Sequence, residues 1–168
     1  MGALYSASPM AGPEIPAEVL ATKILDIPES TYRDWLKARL VVRMGIRCTE
    51  NEAVQAAIVQ VLFGQRLDAD DVRVVMEGLR KDLPDSFRPG RMRVVCHLRG
   101  RTGNLVIGDS EAADSAIGKA VSTGRRLLVL EVGADVGKVR EAFQNEVIAR
   151  TARSSGRRPP GGNERPMS

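Results

Sequence analysis

The chain has 168 residues, is 43% hydrophobic but only 4% aromatic, and carries a net charge of +4. That length gives room for one compact domain or two small ones, and the apolar share can supply a core, which argues against wholesale disorder. No apolar run approaches the ~20 residues of a membrane helix, and two cysteines with one histidine, in no metal-ligand spacing, do not support a zinc site.

Charge placement says more than its sum. Residues 17–83 hold ten basic and eleven acidic groups, and 84–104 hold five and one. Residues 105–149 hold five and seven, and the chain from Arg150 onward again five and one. Basic charge gathered in one short segment and one end suits an anionic partner, or a solvated surface paired with acidic helices. Cys48 and Cys96 sit inside apolar patterns and read as buried, reduced residues of a cytoplasmic protein.

In chain order, residues 1–16 are rich in Ala, Ser, Gly and Pro and read as a flexible arm. The arm begins with Gly2 and Ser6 in the minimal N-myristoylation pattern, without a polybasic segment after it. Glu18 to Asp26 has no clear period. Ser30 to Met44 reads as an amphipathic helix, with Tyr32, Leu36 and Leu40 at i, i+4, i+8 and Trp35 beside them. Thr49 and Glu52 form a capping box for a helix to Leu62, with Val54, Ala57, Ile58, Val61 and Leu62 as one apolar stripe and Gly64 as a left-handed end. A third helix from Asp68 or Asp70 should bury Val72, Val75, Met76 and Leu79. The stretch 83–90 breaks the helical pattern and marks a domain boundary.

Beyond it, Arg91 to Arg101 alternates with period two, as in a half-buried strand. A second strand follows at Asn104 to Ile107, then a helix over Asp109 to Ser122, a buried strand over Arg126 to Val132 and a helix over Asp135 to Arg150. The last has Val139, Phe143 and Val147 at four-residue steps. From Ala152 the chain reads as a disordered basic tail. The expected fold is α+β: a helical unit over 17–83, a small β-β-α-β-α module over 88–150, an arm at 1–16 and a tail at 151–168.

Two motifs could carry function. Ile27-Pro28-Glu29, Tyr32, Trp35-Leu36, Arg43-Met44-Gly45 and Thr49-Glu50-Asn51-Glu52-Ala53-Val54-Gln55-Ala56-Ala57-Ile58 resemble the ribbon-helix-helix family of bacterial DNA-binding proteins, over about residues 22–62. The resemblance implies a homodimer or higher homo-oligomer whose Lys23–Ile27 segments pair as a ribbon in the major groove of double-stranded DNA. Thr22, Ile24 and Asp26 would then face the groove, Lys23 would point inward, and the capped start of the second helix would hold a phosphate near Arg47, Thr49 and Asn51. An apolar and an acidic residue read base edges poorly.

The rival is a helix-turn-helix. Glu18 to Leu25 would be its first helix, Asp26 to Glu29 its turn, and Ser30, Thr31, Arg33 and Lys37 the DNA-facing residues of its second helix. In a third reading these helices only pack against the rest of the chain.

The alternating strand offers Arg91, Arg93, Arg99 and Arg101 on one face, suited to a phosphate backbone, or to an exposed sheet face or charged edge strand. His97 has no neighbouring nucleophile, and no catalytic constellation or cofactor loop can be argued. The expectation is a non-enzymatic DNA-binding protein, a transcriptional regulator or plasmid DNA-transfer accessory factor, without a cofactor or membrane attachment. The alternative is a protein-interaction or assembly module, with 88–150 as the place for a protein partner.

Overall fold

The computed structural model describes residues 12–43, 45–86, 93–97, 104–108, 110–123 and 128–156, with side chains at 81–113, 116, 120 and 124–128 outside that description. The fold is helix-rich α+β. Its first strand, β1 (Glu14–Ile15), comes from the segment expected to be an arm. It pairs antiparallel with β2 (Cys48–Thr49), Ile15 opposite Cys48. Ile15 is wholly buried, and removing its side chain from water offsets the entropy of ordering the chain there. Residues 1–11, with the Gly2 pattern, lie outside the described residues.

The next helix corrects the expected ribbon. α1 (Ala17–Val19) runs directly into a π-helical turn, Leu20–Ile24, closed by Leu25 N–H donating to Leu20 O at 3.0 Å. The Thr22 hydroxyl donates to Glu18 O at 2.8 Å, a back-bond that competes for a helical carbonyl and favours such widening. Helical winding sends Leu20, Ala21 and Leu25 into the core and leaves Thr22 and Lys23 outside. A ribbon would instead have turned the Lys23 ammonium inward, against the cost of burying a charge.

Asp26 then takes a left-handed conformation (φ 54°), which Asp tolerates better than most residues. Pro28 caps α2 (Glu29–Lys37). This helix stops seven residues short of the expected Met44, because Arg39 is also left-handed (φ 56°). The reversal buries Leu40 and Val41. It is held from a later helix: Arg73 donates to Ala38 O at 3.4 Å, and Arg80 to Arg39 O and Leu40 O at 3.1 and 3.3 Å. Cations on the orphan carbonyls of a helix C-terminus are favourable.

α3 (Glu50–Gly64) starts at the expected Thr49–Glu52 capping box. Every residue from Glu52 to Val59 is buried, so α3 is enclosed on all sides rather than along one stripe. Its left-handed exit falls on Arg66 (φ 61°) and not on Gly64. α4 (Ala69–Ser86) opens with Asp71 N–H donating to the Asp68 carboxylate at 2.8 Å and buries Val72, Val75, Met76 and Leu79 as expected. It continues to Ser86, past the break expected from Leu83.

The remaining elements are β3 (Arg93–His97), β4 (Asn104–Gly108), α5 (Ser110–Ser122), β5 (Leu128–Glu131) and α6 (Gly133–Ser155). The sheet order is β4-β3-β5, all antiparallel, so the Arg-bearing strand is central and the edge-strand reading is corrected. α5 lies against β3 and β4, and α6 lies along α3. Leu130, Val132, Val136 and Phe143 join the same core as Leu20, Tyr32 and Ile58. The described core is therefore continuous across the boundary expected at 83–88. No helix among the described residues is long and apolar enough to cross a membrane.

Candidate nucleic-acid interface

Two places could meet DNA: the start of α3, and the helix pair formed by residues 17–37. The start of α3 is closed from within. Glu52 accepts from Thr49 N–H at 2.8 Å, and Glu52 N–H donates to the Thr49 hydroxyl at 3.4 Å. The second Glu52 oxygen lies 3.4 Å from Arg43 Nε. Arg43 also donates to Cys48 Sγ at 3.1 Å, and the Tyr32 hydroxyl lies 3.5 Å from the same sulfur.

Burial pushes the Glu52 carboxyl above its usual range, although Thr49 and Arg43 pull the other way. It pushes the Cys48 thiol up too, against its hydrogen bonds from Tyr32 and Arg43, and raises the Tyr32 phenol. A buried thiol kept protonated is inert. The cluster locks α2, the 43–49 segment and α3 together.

Glu14 stands opposite Thr49 in the β1–β2 pair, and Glu50 occupies the first turn of α3 with Arg140 3.7 Å away. A phosphate arriving at this helix start would meet the carboxylates of Glu14 and Glu50, with Glu52 buried beneath them. Of the residues expected there, Arg47 and Asn51 are exposed, Thr49 is half-buried, and Asn51 accepts from Gln55 at 3.3 Å. The structure brings them together, but around a cap already occupied by its own side chains.

The 17–37 pair has the opposite character. Its inner face is fixed: Tyr32 and Trp35 are buried, and the Trp35 ring stacks on Phe63 of α3 with centroids 6.0 Å apart. Gln60 donates to Leu25 O at 3.1 Å, and Ile27 N–H to Ala21 O at 3.0 Å, which pins the turn. The outer face of α2 presents Ser30, Arg33, Asp34 and Lys37 to solvent, with Thr31 half-buried. Arg33 is held extended along the helix by Glu29 (3.1 and 2.7 Å) and Lys37 lies 3.3 Å from Asp34. Thr22 and Lys23 are exposed on the first helix rather than on a ribbon.

Lys23 reaches across to α6. It donates to Glu146, whose other oxygen accepts from Arg150 at 2.9 Å. The Lys23 hydrogen bond holds the Glu146 carboxyl below its usual range against burial, with Arg150 adding to it.

Residues 17–37 carry Lys23, Arg33 and Lys37 against Glu18, Asp26, Glu29 and Asp34, a net charge of −1 for the pair, with Arg39 just beyond it. The Arg strand does not add to this face on described contacts: Arg93 is placed by its backbone in β3, opposite Gly108 and Glu131. Arg91, Arg99 and Arg101 lie outside the described residues. Ser30 and Arg33, the residues best displayed, are two of the four that the helix-turn-helix reading of the sequence sets toward DNA, and Asp26 fills its turn in a left-handed conformation. The protein-family models give no match to the chain, and no curated protein matches it.

Proposed function

We propose that the chain binds double-stranded DNA through the helix pair at 17–37, with α2 entering the major groove, and acts as a dimeric regulator or DNA-transfer accessory protein without catalysis of its own. One observation carries the reading. Two helical stretches are joined by the short turn at 25–28 with a left-handed Asp26, and their packing turns a polar, solvent-exposed face of α2 outward. A helix of this kind fits the major groove, its first residues at base edges while the preceding helix crosses the backbone.

In this reading Ser30 and Arg33 contact bases, and Thr22 contacts the phosphate backbone. Arg33 must exchange Glu29 for a base edge, which costs little because exposed ion pairs of this type contribute only ~0.3–0.5 kcal/mol. The reading replaces the paired ribbon with a helix, so pairing of two chains is not needed to build the DNA-facing surface. A dimer would instead set the spacing of two half-sites.

Selection of bound sequences from a randomised duplex at ~50 mM salt, where phosphate contacts are strong, tests the proposal. A selected site should lose ~1–3 kcal/mol of affinity on Arg33→Ala, with relaxed preference at one base pair. No retention of any duplex at that salt would overturn it.

A further inference from the structure

β5 stands at one end of the sheet order β4-β3-β5, with β3 paired on one side of it. Among the described residues no second strand pairs with it, and no backbone hydrogen bond from a turn or loop reaches Leu128–Glu131. An unpaired row of N–H and C=O groups is a template for another extended backbone. We infer that β5 is the surface through which two copies of the chain associate, edge to edge and antiparallel, joining two three-stranded sheets into one of six strands. The inference goes beyond the DNA-binding reading and needs no nucleic acid; it supplies the surface that pairs the two chains.

Three observations choose this edge. First, α4 and α5 both lie against β4 at the other end of the sheet, whereas β5 is packed on β3. Second, β5 reads Leu128-Val129-Leu130-Glu131, three apolar residues in four, without the lysine or proline by which an edge is ordinarily blunted. β4 instead begins at Asn104 and ends at Gly108, residue types depleted in strands. Third, Leu130 is 4% exposed and Val129 39%, as neighbours on opposite faces of a strand should differ. The face turned away from the core therefore carries a branched apolar side chain beside water.

The same four residues identify the occupant as a second copy. For two identical antiparallel strands in one sheet, related by a two-fold axis, the alternation of faces permits only registers in which one residue opposes itself. A register centred on Glu131 would set two carboxylates face to face, which is unfavourable. One centred on Leu130 would set Val129 against Glu131. Centring on Val129 sets Leu128 against Leu130 of the second copy and keeps the two Glu131 groups at opposite ends of the pair. It also covers each exposed Val129 with the other, and branched side chains pack well against one another on a pleated surface. Apolar residues thus oppose apolar residues and no like charges meet. A peptide of unrelated sequence would have to match this pattern, whereas a second copy does so by symmetry.

The test uses the full chain without DNA, its mass in solution followed by light scattering up to about 100 μM. Parent protein is compared with Val129→Lys, Val121→Lys and Ile148→Lys, three exposed apolar positions on β5, α5 and α6. A lysine on a strand edge opposes pairing by its charge. The parent should reach the mass of a dimer, Val129→Lys should remain a monomer, and the other two variants should behave as the parent does. A parent that stays monomeric, or a Val129→Lys that still dimerises, would overturn the inference. Loss of the dimer in Val121→Lys or Ile148→Lys would place the contact elsewhere and overturn it as well. Should Val129→Lys fail to fold, amide exchange on the parent decides. With free chain at about ten times the dissociation constant, the outward amides of 128–131 should exchange about tenfold more slowly than in dilute protein. Protection there that does not change with concentration would show the edge to be covered by its own chain and would overturn the inference. None of these outcomes involves duplex, so the DNA-binding reading stands or falls separately.

Discussion

The helix pair at 17–37 and the α2–α3 joint at 32–55 share a helix, yet they face opposite ways. At the joint the polar groups turn inward: Thr49 and Glu52 cap each other, Arg43 donates to Cys48, and Arg43 Nε and Glu52 Oε1 face each other at 3.4 Å as an ion pair without a hydrogen bond. At the pair the apolar groups turn inward and the polar ones outward, and a buried carboxylate nearby, Glu146, takes its partners from Lys23 and Arg150. The two carboxylates show the difference directly. Burial dominates at Glu52 and raises its pKa; the lysine hydrogen bond dominates at Glu146 and lowers it. A helix start tied back to its own side chains by a reciprocal cap is a fastening, while a helix held only by its inner face can offer its outer one to a partner.

The comparison can be broken most sharply at Glu52. Glu52→Ala removes a reciprocal cap and leaves Arg43 without its carboxylate, and should cost about 3 kcal/mol in denaturant unfolding. A loss below about 1 kcal/mol would mean the joint is not the fastening described. Thr49→Ala should cost about 1 kcal/mol and leave duplex affinity unchanged, because the start of α3 is closed to phosphate. An affinity loss without a stability loss would move the DNA contact back to this site. At the turn, Asp26→Ala should destabilise by ~0.5–1 kcal/mol, since alanine is strained at positive φ, whereas Asp26→Gly should be near neutral.

The smallest effects are in pH dependence, and their signs are opposite. Glu146 has a depressed folded pKa, so its contribution is present above the ordinary carboxylate value of ~4.3 and is lost as pH falls through the folded one. The stability gap between parent and Glu146→Gln should therefore shrink on acidification. Glu52 has a raised folded pKa, so the folded state binds its proton more tightly than the unfolded chain does. The parent should gain on Glu52→Gln as pH falls through that raised value. Denaturant midpoints at a series of pH values measure both, and gaps that change in the same direction with pH would show that the two environments do not differ as described.

What could be read from sequence divides along the distance over which each feature is decided. The Thr49–Glu52 box, the α4 stripe of Val72, Val75, Met76 and Leu79, and the 139–143–147 stripe of α6 depend on neighbours three or four residues away. They were legible. The end of α2 at Lys37 depends on Arg73 and Arg80, and the turn at Asp26 on Gln60 and on the burial of Leu20 and Leu25. Arg73, Arg80 and Gln60 lie 35 or more residues from the carbonyls they hold, beyond any local pattern, and so the Lys23–Ile27 segment could be read as strand or helix. The candidate site followed the same division. Its closed half, at Thr49, has a strong local signal, while its open half, at Ser30 and Arg33, is legible only as one of two competing readings of the segment before Pro28.

The central claim, that the DNA-facing surface is α2 and not the start of α3, is tested most directly by photo-crosslinking. A photoreactive amino acid is placed in turn at Ser30 and at Asn51, both exposed, and the protein is irradiated with a bound duplex. The account predicts crosslinks from position 30 and none above background from position 51. Crosslinks from position 51 alone would contradict it.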